Sequence, residues 1–164
     1  MRWTFCLFLL FLSIVTQSIA LGQKENRLSL KGVGPIQVIM DVDPILVKYG
    51  IGKKELTEVI ELLLRQSEIS VTSQLPKPPS QLYLNMNCIE TEKTGVLTIC
   101  FYISYLQMVF VPKKEGALGL LGETWATPVT LCNVGYKNVR QIIELIKSQV
   151  GEFVAAYLSA NLKK

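Results

Sequence analysis

Apolar and polar positions along this chain repeat in two rhythms. In "PIQVIMDVD", from Pro35, the residues Ile36, Val38, Met40 and Val42 share one face while Gln37 and Asp41 share the other, the period of two that predicts a strand. Asp43-Pro44 then opens a short helical turn, because aspartate caps free amides and a proline at the first helical position needs no amide proton. Gly50 and Gly52 soon end it. In "KKELTEVIELLLRQSE" the period changes: Leu56, Val59, Ile60, Leu63 and Leu64 recur at three and four, the stripe of an amphipathic helix. Ile69 to Thr72 reads as a strand that follows almost without a loop. "QLPKPPSQ" reads as an exposed connection, since its prolines remove amide donors and fix the backbone.

Period two returns at Leu82 to Glu90, with Leu82, Leu84, Met86 and Cys88 on one face and Tyr83, Asn85 and Asn87 on the other. Val96 to Val111 is strand-like throughout, but at roughly 3.3 Å per residue it would be some 50 Å long, too long for a straight strand in a small domain. Its apolar face also changes, from odd-numbered Leu97, Ile99, Phe101 and Ile103 to even-numbered Leu106, Met108 and Phe110. One extra residue near Ser104-Tyr105, a bulge, would make that switch. "PKKEGALGLLGE" reads as a flexible loop, and Thr124 to Asn133 as extended chain around Trp125, broken or at an edge where Pro128 falls. Val139, Ile142, Ile143, Ile146, Val150, Phe153, Val154 and Tyr157 form the stripe of a long helix over about 138–162, in which Gly151 points to a close approach to the sheet. The order of elements predicts an α+β fold: a two-layer sandwich with a largely antiparallel sheet of four to five strands and two amphipathic helices on one face. It is one domain, residues 35–164, after a flexible lead, residues 21–34.

The N-terminus sets the compartment. Arg2, an apolar run from Phe5 to Val15 and Ser18-Ile19-Ala20 have the form of a secretory signal peptide, residues 1–20, cleaved after Ala20. The run is about half the 20 or so residues a spanning helix needs, so the mature form is expected to have no integral membrane segment and to be periplasmic or secreted. Cys6 lies inside the run and is not placed for lipidation. The net charge of +4 comes from scattered lysines rather than a basic stripe, which speaks against a nucleic-acid partner. The chain has no histidine, which excludes imidazole as base, acid or metal ligand.

Little else points to chemistry. Beyond the signal there are three cysteines, Cys88, Cys100 and Cys132. An odd number leaves at least one thiol over, and they have neither the ligand count of a zinc site nor the spacing of a redox pair. No metal or cofactor is expected. A three-residue hairpin loop, Lys93 to Gly95, would set Cys88 opposite Cys100 and permit a disulfide; a four-residue loop, Glu92 to Gly95, sets Met86 and Cys88 beside Phe101 and Ile99. Burying two large side chains at about 2 kcal/mol each favours the second register and separates the sulfurs. Asp41-Val42-Asp43 lacks the later ligands and the turn glycine of a calcium loop. Gly32-Val33-Gly34 precedes a strand, whereas a dinucleotide fingerprint follows one. Gly116, Gly119 and Gly122 are spaced by three among Leu118, Leu120 and Leu121, which with Trp125 read either as an apolar lid or partner-binding loop or as a poorly ordered connection.

"ELLLRQSEISV", "ETWAT" and "FVAAYLSAN" resemble segments of a family of small, uncharacterised secreted bacterial proteins, which implies no particular activity. The layout is also similar to small periplasmic sheet-and-helix domains, among them the lipopolysaccharide-assembly lipoprotein and the N-terminal domain of the Tol translocation protein, although this chain lacks the lipidated cysteine of the former. The function expected from these observations is that of a non-catalytic binding or adaptor protein of the cell envelope, with an envelope protein as partner. Two alternatives stand beside it. One is a carrier of an apolar small ligand held between sheet and long helix, suggested by a hydrophobic content of 49%. The other is an enzyme working through Asp41, Asp43 or tyrosine, with no catalytic residue assigned.

Overall fold

The computed structural model describes residues 27–91, 93–114 and 116–161; the expected signal and its cleavage residue Ala20 lie outside them. In chain order the elements are β1 (Gln37–Val42), α1 (Pro44–Lys48), α2 (Lys53–Gln66), β2 (Ser80–Thr91), β3 (Val96–Lys113), β4 (Gly116–Ala126), β5 (Thr130–Gly135), a 3-10 turn (Tyr136–Gln141) and α3 (Ile142–Asn161). The fold is α+β, with a mixed, mostly antiparallel open sheet of five strands in the order β1-β2-β3-β4. β1 pairs with β2 in parallel, and β3 pairs antiparallel with β2, β4 and β5. No helix among the described residues is long and apolar enough to cross a membrane.

The elements form for the reasons the pattern gives. Asp43 caps α1, its Oδ1 accepting the Ile45 amide at 2.9 Å with Pro44 following. Its Oδ2 accepts the Cys88 amide at 3.2 Å, so one carboxylate ends β1, starts α1 and ties both to β2. In α2, Leu56, Ile60 and Leu64 are buried at spacings of four. In α3, Ile142, Ile146, Val150 and Phe153 are fully buried. Phe153 packs against Tyr105 and, edge-on, against Trp125, at ring-centre distances of 5.7 and 5.2 Å. Full burial of side chains this large contributes about 1.5–3 kcal/mol each, which makes the seam between α3 and β3 the energetic centre of the fold.

One polar residue belongs to that seam. Gln149 is buried on α3 and receives the Thr127 hydroxyl on its Oε1 at 3.0 Å. Its amide donates to the Pro128 carbonyl at 3.2 Å and to Thr130 Oγ1 at 2.6 Å. Pro128 interrupts the strands as expected, between β4 and β5, and Gln149 satisfies the backbone and hydroxyl groups that the interruption leaves without a ladder.

The hairpin between β2 and β3 has the four-residue loop: Thr91 pairs with Val96, Met86 with Phe101, and Cys88 with Ile99. Several local expectations are corrected. Ile69 to Thr72 is not a strand; it contributes an isolated parallel bridge, Ile36 to Val71, reached after a turn in which Glu68 has φ of 60°. Gly151 makes no close approach, being exposed with nothing within 4 Å of where a Cβ would stand. β3 carries no bulge against β2, whose register runs unbroken from Ser80–Gln107 to Thr91–Val96. The irregularity lies in β4, where Thr124 is the extra residue between Trp125, opposite Tyr105, and Glu123, opposite Leu106. The core also reaches into the expected lead, where Leu30 is fully buried.

Candidate functional site

The segment expected as a flexible loop is β4, and it makes an arm. β2 begins at Ser80, opposite Gln107, because the prolines at 76, 78 and 79 cannot supply ladder amides. Beyond Gln107 the strand β3 therefore loses its neighbour on that side. Met108 to Lys113 and Gly116 to Leu121 continue as a two-stranded ribbon, with Met108 opposite Leu121, Val109 opposite Leu120, Phe110 opposite Gly119 and Val111 opposite Leu118. Cross-strand partners share a face, so Met108, Phe110 and Leu121 lie on one side while Val109, Val111, Leu118 and Leu120 lie on the other. Both faces are apolar. Phe110 is 70% exposed, Leu121 50%, Leu120 47%, Val111 44% and Leu118 40%.

The glycines explain how so weak a strand sequence pairs. A Cβ on Gly119 would stand 3.0 Å from Met108 Sδ and 3.4 Å from a Phe110 ring carbon, and one on Gly122 would stand 2.8 Å from a Val109 methyl. Glycine here makes room for bulky neighbours on the facing strand. The root of the arm is fastened: the Ser29 hydroxyl donates to the Thr124 carbonyl at 3.0 Å, and Gln107 Nε2 donates to the Ser29 carbonyl at 3.0 Å. Between arm and proline run lies a groove of about 180 Å³ lined by Met108, Phe110, Pro35, Pro76, Ser80 and Tyr105. The last two share a hydrogen bond at 2.7 Å, and burial pushes the Tyr105 phenol up to about 12.

Of the four residues singled out from sequence as a partner-binding loop, Leu118, Leu120 and Leu121 lie together on the arm. Trp125 does not join them; it is 8% exposed, in the core against Phe153. Phe110 and Val111, which periodicity assigned to the strand without a site, complete the exposed group. The face switch at Tyr105 was their signal: past that residue both faces of the strand face away from the core, so both parities can be apolar.

Other polar clusters have structural duties. Glu90 accepts from both Lys48 Nζ, at 3.1 and 3.2 Å, and the Tyr49 hydroxyl. Tyr49 stacks on Tyr136 at 4.7 Å. The Tyr49 hydrogen bond, with Lys48, holds Glu90 below its ordinary pKa, and the same bond raises Tyr49. A carboxylate held ionised in this way is suited to clasping α1 and the 3-10 turn to the end of β2. Asp43 spends both oxygens on amides, and exposed Asp41 lies 4.0 Å from Lys53. Cys88, Cys100 and Cys132 are free thiols. Cys88 and Cys132 both pair with Ile99, from opposite sides, while Cys100 is on the other face of β3. Burial pushes the Cys88 thiol up to about 11 and raises Cys132 as well, the direction of an inert thiol. No group of three or more potential ligands among the described residues could hold a metal ion. Space for an apolar ligand near α3 is an open groove of about 370 Å³ over Trp125, with Arg27, Glu152 and Ser159 among its lining residues.

No protein-family model matches the chain, and no curated protein matches it.

Proposed function

We propose that this is a non-catalytic binding or adaptor protein of the cell envelope, secreted or periplasmic, in which a two-layer sandwich with two amphipathic helices on one face of the sheet holds out an apolar arm for a protein partner. The observation that carries this reading is the arm itself: five large apolar side chains, each at least 40% exposed, on a ribbon apolar on both faces. Contiguous apolar surface of that kind is uncommon on a monomer and marks interaction sites. The resemblance to small secreted bacterial proteins and the signal-like N-terminus support the compartment.

The test is a photo-reactive amino acid placed at Phe110 or, as a control, at Leu62 on α2, which is 54% exposed on a single-sided helix. In cells expressing the complete chain, position 110 should give a discrete adduct with another protein in the envelope fraction, and position 62 should not. Equal labelling at both positions, or a protein recovered wholly in the cytosol, would sink the reading.

A further inference from the structure

Two hydroxyl protons meet at the buried end of the groove between arm and proline run, and only one of them is used. Ser80 and Tyr105 line that groove and are 6% and 0% exposed. Each hydroxyl carries one proton and can also accept one. They share a single hydrogen bond, at 2.7 Å, and neither side chain makes another with any described residue. Whichever of them donates, one proton is left over in surroundings where buried donors are normally satisfied. The Tyr105 phenol, pushed up to about 12 by burial, keeps its proton throughout the neutral range.

The mouth of the groove has a different character. Lys31 and Lys77 line it, both exposed, and neither has an ion pair among the described residues. No aspartate or glutamate is among the lining residues, whereas the groove over Trp125 has Glu152 as well as Arg27. Two uncompensated ammonium groups at a cleft attract an anion. Between mouth and buried end the walls are Met108, Phe110 and the proline run, which present apolar surface. The groove has a volume of about 180 Å³. An apolar cavity of about 150 Å³ holds benzene, so there is room for one ring with short substituents.

We infer that this groove binds a small aromatic carboxylate. Its carboxylate lies at the mouth against Lys31 and Lys77, its ring lies between Met108, Phe110 and the prolines, and an acceptor on the far side of the ring takes the spare hydroxyl proton. A ring suits these walls because Phe110 can meet it edge-on or offset. Carboxylate suits the mouth better than phosphate: no arginine lines the groove, the prolines have no amides to build an anion nest, and Gly32 spends its amide on Asn161.

An amide-resolved NMR titration of protein purified from the complete chain tests this with three ligands of one shape. Para-acetylbenzoate carries both charge and acceptor, para-isopropylbenzoate lacks the acceptor, and para-acetylbenzamide lacks the charge. Para-acetylbenzoate should bind with a dissociation constant of about 1 mM or below, the range open to so small a ligand. The shifted amides should be those of 31–34, 80 and 107–110. Each of the other two ligands should bind about fivefold more weakly, one through the unmade hydrogen bond and one through the lost ion pairs. Added salt should narrow only the gap between acid and amide. Lys31→Gln combined with Lys77→Gln, both at exposed positions, should abolish the preference for para-acetylbenzoate over para-acetylbenzamide and keep the preference for acetyl over isopropyl.

An absence of shifts up to the solubility of para-acetylbenzoate would mean that water alone takes the spare proton, and would overturn the inference. Equal affinity for all three ligands, shifts centred on Trp125, or a double variant that keeps its preference for the acid would do the same. The site is independent of the arm's protein partner: a Phe110 adduct without ligand binding would end the carboxylate site and leave the adaptor reading standing.

Discussion

Val96–Tyr105 and Leu106–Lys113 are two halves of one strand, yet they obey different rules. In the first half burial follows the pleat as far as Ile103: Leu97, Ile99, Phe101, Ile103 and Tyr105 are fully buried, Thr98, Cys100 and Tyr102 are only partly covered, and the small Ser104 alone is buried on the other parity. In the second half no residue is fully buried, and parity no longer separates apolar from polar. The backbone is the same in both. What differs is what lies across from it: α3 on one face and strands along both edges in the first half, and in the second no helix and, beyond Gln107, a single strand. Alternation is thus a record of one-sided burial, and it vanishes where a ribbon leaves the core.

That contrast can be broken most strongly in the body. Phe153→Ala removes the ring shared by Tyr105 and Trp125 and should cost about 3–5 kcal/mol, read as a large fall in melting temperature and in the urea midpoint. A variant as stable as wild type would mean that α3 does not hold the first half of β3. A smaller effect, of opposite sign, is expected at Gly151. Its exposed helical site has room for a methyl group, so Gly151→Ala should raise stability by about 1 kcal/mol in the same melts. Smallest of all is Phe110→Ser on the arm, which should move the melting free energy of dilute protein by no more than about 0.5 kcal/mol. A loss comparable to that of Phe153→Ala would show that the arm is part of the core after all.

The legible parts of this fold are those where burial is one-sided. The stripes of α2 and α3, the cap at Asp43 and the register that puts Met86 beside Phe101 follow from apolar spacing, because a single slip would bring the wrong face into the core. The illegible parts have other causes. "GALGLLGE" looks like a loop since glycine lacks strand propensity, and only the bulk of Met108, Phe110 and Val109 across the ladder shows why glycine suits it. Gln149 reads as a gap in an apolar stripe; its partners Thr127, Pro128 and Thr130 lie about twenty residues away and leave no local mark. Ile69 to Thr72 alternates as a strand does, but the turn at Glu68 and the prolines from 76 leave it length for one bridge. Leu118, Leu120 and Leu121 were visible as candidates, whereas Trp125 shared their neighbourhood in sequence without sharing their environment.

The last residue of α3 holds the opening of the described chain. Asn161 Oδ1 accepts the Gly32 amide at 2.8 Å, and its Nδ2 donates to the Leu30 carbonyl at 2.9 Å. The two ends of the described chain therefore lie side by side, and a short linker from Asn161 to Arg27 could close the described backbone into a ring. New termini could then be opened at the arm's tip, beside Lys114, where the chain reverses far from the α3 seam. A circularly permuted protein of that design would keep every packed contact of the body while converting the hairpin into two free-ended strands, which separates the arm's continuity from the stability of the fold that carries it.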